Sequence, residues 1–149
     1  MMEKIICVNK KARHEYFLFD TLEAGLALQG TEIKSIRKGN VNLKDSFIDI
    51  HNLEAFIKNM HIAIYEFGNR FNHEEKRDRK LLLHKDEILK LQQKVQVKGF
   101  TIIPTKLYFS KGKVKLEIAL AKGKDLHDKR DSLKEQDAKR EIEKAMKIR

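Results

Sequence analysis

Apolar residues fall in short blocks along this chain, and the blocks predict strands interrupted by two helices. Glu15–Gln29 reads as extended chain, with the β-forming residues Tyr16, Phe17, Leu18 and Phe19 at its start. Gly25 lies within that run and predicts the bend or bulge that a curled barrel strand needs. Gly30-Thr31 then opens a short helix, with Thr31 as N-cap, Glu32 near the positive end and Gly39 as the C′ residue. Ile33 and Ile36 are three apart and are expected to face the core, leaving Lys34, Arg37 and Lys38 toward solvent.

Ser46–His51 and Ala55–Ile62 read as a strand pair across Asn52-Leu53-Glu54. Asn69–Lys80 is polar and strongly basic, so a surface loop is expected. In Asp86–Lys98, Ile88, Leu91 and Val95 recur at helical spacing; Asp86 can cap and Gly99 terminates. Phe100–Phe109 and Val114–Ala121 read as a hairpin across Ser110-Lys111-Gly112-Lys113, where the glycine allows positive φ. Several short strands with inserted helices in about 120 residues point to a mainly β fold, an OB-like antiparallel barrel.

After Ala121 the chain changes character. Lys122–Arg149 carries no Phe, Tyr or Trp, and beyond Gly123 neither Gly nor Pro, so helix is permitted throughout. Glu135–Lys139 and Glu143–Lys147 are favourable i,i+4 pairs. Yet Leu126, Leu133, Ile142, Ala145, Met146 and Ile148 form only a narrow, broken stripe, which buries little surface alone. The segment is expected to be disordered or marginally helical until it meets a partner, or else a solvated tail without function. The expected organisation is therefore a barrel over residues 1–121 and a basic tail over 122–149.

Charge adds the first functional clue. Lys and Arg number 32 against 22 Asp and Glu, a net +10, which favours a polyanionic partner such as nucleic acid over an anionic membrane face. No apolar run approaches the roughly 20 residues of a membrane span, and Ile5–Val8 is too short for a signal-peptide core. A cytoplasmic protein is expected, with no membrane partner. Cys7 is the single cysteine, so no internal disulfide can form; Ile5, Ile6 and Val8 around it suggest a buried strand thiol.

Catalytic signatures do not survive inspection. Gly25-Leu-Ala-Leu-Gln-Gly30-Thr31 mimics P-loop spacing, but the phosphate-binding Lys is missing after Gly30. The histidines, His61 and His84 among them, are scattered rather than set at metal-ligand spacing. No enzyme, metal or cofactor is expected, with a metal-dependent nuclease as the remaining enzymatic alternative. Binding features are stronger. Asn69-Arg-Phe-Asn72 sets Arg70 for phosphate, Phe71 for stacking on an unpaired base and Asn72 for a base edge, although Phe71 reads equally as a core anchor. Lys76, Arg77, Arg79 and Lys80 form the densest cation run of the body, either a binding surface or a solvated face, partly offset by Glu74, Glu75 and Asp78.

A family resemblance gathers these motifs. Asn9-Lys-Lys-Ala-Arg-His-Glu-Tyr16, Gly30-Thr-Glu-Ile-Lys-Ser35, Val41-Asn-Leu-Lys-Asp-Ser46, Gly68-Asn-Arg-Phe-Asn-His73, Arg79-Lys-Leu-Leu-Leu-His84, Asp128-Lys-Arg130 and Asp137-Ala-Lys-Arg140 resemble the small protein B family in order and spacing, from Asn9 to Arg149. Asp125 departs from the family pattern where another basic residue is frequent, as do Ala63-Ile64 where a proline is common. The resemblance implies an OB-like barrel that binds the tRNA-like domain of tmRNA, as a monomer in that complex, and enters the vacant A site of stalled ribosomes. It implies tmRNA contacts from Glu32, Lys34, Arg37, Lys38 and Asn40, with Arg70, Phe71 and Asn72 as neighbours; Glu32 reads alternatively as a helix cap alone. It also implies a tail that senses the empty mRNA channel near the small-subunit decoding centre. There Lys122, Lys124, His127, Asp128, Lys129 and Arg130 would meet the ribosome, His127 stacking on a base. The alternative within RNA binding is another OB-type factor, such as one of rRNA assembly.

Overall fold

The computed structural model describes residues 4–65 and 72–124. Its elements run β1 (Lys4–Val8), α1 (Lys10–Glu15), β2 (Tyr16–Leu26), α2 (Gly30–Arg37), β3 (Val41–Asn42), β4 (Phe47–His51), β5 (Glu54–Lys58), β6 (His61–Ile62), β7 (Arg79–Leu82), α3 (Lys85–Val95), β8 (Phe100–Ser110) and β9 (Lys113–Gly123). Strand order is β1-β8-β4-β5-β7-β2-β9, and β9 pairs again with β8, so the sheet closes into a ring. Every pairing in that ring is antiparallel. β3 and β6 form a separate two-stranded ladder. The expected barrel is the fold observed.

Two hairpins arise from local chemistry. His51 pairs with Glu54 across Asn52 (φ 50°) and Leu53 (φ 61°), and Ser110 pairs with Lys113 across Lys111 (φ 52°) and Gly112 (φ 77°). Positive φ at both central residues is the I′ geometry whose twist matches the strands it joins. The first loop is one residue shorter than the pattern predicts, because Glu54 already lies in β5.

The bulge in β2 sits at Asp20 (φ 30°), where the register against β9 shifts, and not at Gly25. Lys94 Nζ donates to the Asp20 carboxylate at 2.7 Å, tying α3 to that bulge. Gly25 serves close approach instead. It pairs with Leu82 on one side and Lys115 on the other, and a Cβ there would lie 3.3 Å from Leu82 Cβ.

The barrel interior holds Ile102 and Leu107 of β8, Leu116, Ile118 and Leu120 of β9, Ile57 of β5 and Leu81 of β7. Leu43, Met60, Ile62 and the α2 residue Ile36 complete the same cluster. Each such side chain contributes on the order of 1.5–3 kcal/mol by leaving water. A smaller cluster of Ala12, Ile103 and Ala121 seats α1 on the sheet. That helix is absent from the sequence expectation, since Lys10–Glu15 shows only one small apolar residue, Ala12.

β9 continues to Gly123, and Lys124 N–H donates to Glu15 O at 2.8 Å. The last strand thus runs past the end at Ala121 that the pattern predicts. α3 begins at Lys85, with His84 rather than Asp86 at the N-cap and Glu87 completing a capping box. Cys7 is half-buried, and burial pushes its thiol pKa up. Among the described residues, no helix is long and apolar enough to cross a membrane.

Candidate nucleic-acid interface

α2 carries the largest expected share of the site, and its two faces differ sharply. The helix is capped at Gln29, not Thr31, and the Glu32 carboxylate accepts from Gln29 N–H at 2.8 Å. The buried stripe is Glu32, Ser35 and Ile36, while Ile33 is only half-buried. On the opposite face Lys34, Arg37 and Lys38 extend outward, all three exposed, and Asn40 is exposed just beyond. The expectation held for the cations and failed for Ile33. Glu32 took the inward position because two arginines wait for it there.

Arg79 and Glu32 are both 0% exposed, and Arg79 Nε–H donates to Glu32 Oε2 at 2.5 Å. Arg77, at 30% side-chain exposure, donates to Glu32 Oε1 at 2.6 Å. Burial alone would raise the Glu32 pKa. Hydrogen bonds from Arg77, Gln29 N–H and Arg79, with the Arg79 charge, outweigh it and hold that carboxyl below its usual value. The other Arg79 donors reach backbone: Nη1 to Met60 O at 2.5 Å, Nη2 to Glu74 O at 3.2 Å and Glu75 O at 3.1 Å. A planar guanidinium with five fixed donors suits such a hub, as a lysine ammonium does not.

These positions correct two expectations. Glu32 offers no surface to a ligand, so its carboxylate is a buried keystone where the resemblance implies a tmRNA contact. The cation run Lys76–Lys80 is not a uniform solvated face: Arg79 lies inside the fold and starts β7, Arg77 leans inward, and Lys76 and Lys80 are exposed.

A second polar tie lies beside the first. His73, 5% exposed, bonds Ile62 O through Nε2 and Thr31 Oγ1 through Nδ1, both at 2.9 Å. A carbonyl can only accept, so Nε2–H donates to Ile62 O; in the neutral ring Nδ1 accepts from the threonine hydroxyl. Asn72 is half-buried. Its Nδ2 donates to Tyr65 O at 2.6 Å, and its Oδ1 accepts from Tyr65 N–H at 3.2 Å and His73 N–H at 3.1 Å. The side chain expected to read a base edge is thus engaged with backbone. Arg70 and Phe71 lie outside the described residues.

Tyr65 is the residue that sequence reasoning missed. Lys34 Nζ stands 5.4 Å from its ring centroid and Lys38 Nζ 5.1 Å, cation–π distances that gather two ammoniums around one aromatic. The i,i+4 spacing of the lysines was legible; that Tyr65 would meet them was not. Elsewhere, exposed Leu82 and Leu53 line a groove with Lys80, His84 and Lys85.

Of the expected tail residues, Lys122 and Lys124 belong to the body. Lys122 Nζ lies 5.8 Å from the Phe100 ring centroid; Lys124 Nζ lies 5.4 Å from that of Phe17 and donates to Arg13 O at 3.2 Å. His127, Asp128, Lys129 and Arg130 lie outside the described residues, as does the expected tail helix. Among the described residues, no three His, Cys, Asp or Glu side chains converge as a metal site would need.

Comparison with known proteins accounts for this arrangement. A family model described as SmpB protein matches residues 6–148. An SsrA-binding protein of Desulforudis audaxviator is 57% identical over 143 residues, 96% of this chain and 94% of the relative. One of Persephonella marina is 58% identical over 144 residues, 97% and 95% of the two chains. Among solved structures, a chain from "tmRNA-SmpB: a journey to the center of the bacterial ribosome" superposes with a TM-score of 0.69 at 44% identity. That match covers 87% of this chain and 92% of the other. With identity above half across nearly the full length of both partners, this protein belongs to the SmpB family.

Proposed function

We propose that this protein binds tmRNA and accompanies it to stalled ribosomes in trans-translation, acting in the cytoplasm by docking and not by catalysis. The observation that carries this reading is the full-length match, body and tail together, to relatives named SsrA-binding protein and to a tmRNA–SmpB chain from a ribosome assembly. The geometry supports it with a rigid barrel that presents Lys34, Arg37 and Lys38 on one outward helix face. Ammonium and guanidinium groups held this way neutralise phosphates without the ordering cost of a flexible loop.

In this reading Lys34, Arg37, Lys38 and Asn40 contact the tRNA-like domain, with Tyr65 among them and Arg70, Phe71 and Asn72 nearby. Glu32 works from beneath. The tail starts after Lys124, whose backbone and ammonium bonds to α1 give it a fixed origin on the barrel. His127 stacks on a base near the decoding centre, Asp128, Lys129 and Arg130 set the tail's path, and the remainder becomes helical in the empty mRNA channel. One protein molecule serves one tmRNA. The test is to crosslink RNA to the protein in cells and sequence it. Dominance by tmRNA is the expected result, and dominance by precursor rRNA would assign the chain to ribosome assembly instead.

A further inference from the structure

The α2 cations stand on a helix of only eight residues, Gly30–Arg37. So short a helix is marginal by itself, yet its lysines must meet RNA in a set geometry. What holds it is polar and buried. Arg79 joins α2, through Glu32, to Met60 O and to Glu74 O and Glu75 O on the strand connections. His73 joins Thr31 at the start of α2 to Ile62 O on β6. Asn72 then grips both backbone groups of Tyr65, the residue whose ring the Lys34 and Lys38 ammoniums approach. A continuous series of bonds thus runs from the barrel strand β7, beneath the helix, to the aromatic on its outer side.

We infer that Arg79 and Glu32, together with His73 and Asn72, are positioning residues for RNA docking: they hold the Lys34–Arg37–Lys38 face and Tyr65 in one geometry without touching RNA. The inference rests on the docking face proposed above. Its chemical basis is the arginine fork. The bonds use Nε, Nη1 and Nη2 in three directions, so a lysine in place of Arg79 would keep the charge while losing the shape. Both members of the central pair are 0% exposed, so neither can neutralise a phosphate. A buried ion pair contributes little net stability compared with packed apolar side chains, and registry is the use best attested for such pairs.

The test measures the affinity of the full-length protein for transcribed tmRNA across a potassium chloride series, with thermal unfolding of each variant recorded alongside. Arg79→Lys, the paired Glu32→Met/Arg79→Met and Asn72→Ala are compared with Lys34→Ala/Lys38→Ala. The paired methionines leave no buried charge behind, and Asn72 is not part of the ion pair, so folded variants remain available if Arg79→Lys unfolds. Expected is binding weakened by about tenfold in each positioning variant, the size of one charge-assisted hydrogen bond, with the salt slope unchanged. The lysine variant should lose affinity and about 0.7–0.9 of slope per lysine removed. Wild-type affinity in the folded positioning variants, beside a weakened lysine variant, overturns the inference and leaves the docking face standing. Unchanged binding by Lys34→Ala/Lys38→Ala overturns the docking face, and the inference falls with it.

Discussion

Glu32 and Arg79 stand 47 residues apart in the chain and meet as a fully buried pair, Arg79 Nε–H donating to Glu32 Oε2 at 2.5 Å. The pair fastens a short helix to a barrel strand, and its energetics are asymmetric. Removing one partner strands the other charge out of water, whereas removing both does not. Glu32→Ala should therefore cost about 3–5 kcal/mol in denaturant unfolding. A loss within the range of a helix cap alone, about 0.5–2 kcal/mol, would show that Arg79 finds water or another acceptor.

Stability should also depend on pH through this carboxyl. Its folded-state pKa is lowered from 4.5, the Arg77, Gln29 and Arg79 bonds overcoming burial. The stabilisation is thus complete above the unfolded value and drains away as pH falls through the lower folded value. Thermal unfolding of the wild type and Glu32→Gln, compared between about pH 5 and about pH 3, should show the wild-type advantage shrinking with acid. An advantage constant across that window would mean that the folded pKa is not lowered.

Arg37 and Asn40 are both exposed near the end of α2, but only one carries charge. Arg37→Ala should weaken tmRNA binding and lower the salt slope by about 0.7–0.9, one phosphate's worth. Asn40→Ala should leave that slope where it was. Equal slopes for wild type and Arg37→Ala would move this arginine off the phosphate backbone.

Leu53 occupies the second central position of a two-residue hairpin at φ 61°, a conformation that crowds a Cβ. Leu53→Gly should raise stability by about 1 kcal/mol, the lower end of the left-handed penalty for an L-residue. Leu53 is 38% exposed, so the burial that its side chain gives up offsets part of this gain. A destabilised variant, measured by thermal unfolding, would show that its groove packing outweighs the backbone strain.

Truncation after Lys124 keeps β9 and the bond from Lys124 N–H to Glu15 O, so the body should retain its fold and its tmRNA affinity. Peptide tagging on stalled ribosomes should be lost, because nothing would probe the empty channel. Ala138→Pro should impair tagging alone, since proline inside the helix proposed for the bound tail would cost about 3 kcal/mol or more. Full tagging by the truncated protein would refute the role proposed for the tail.

Short-range period and turn chemistry were enough to specify most of the strands, the Lys111-Gly112 turn, the two longer helices and the barrel class. Family membership was legible too, being written in motif order, and so were the outward cations of α2, spaced to share a helix face. Which way Glu32 points was settled by long-range packing. A glutamate in a first helical turn reads equally as a cap, a surface acid or an RNA contact; it became a buried anion because β7 brings Arg79 beneath it. The same holds for Tyr65, whose ring lies beside Lys34 and Lys38 while Asn72 bonds its backbone, and for Lys122 and Lys124, drawn into the body by pairing with β2 and α1. In each case the deciding partner lies outside the local stretch of chain, often tens of residues away, and no local pattern encodes which distant charge or strand will desolvate a side chain.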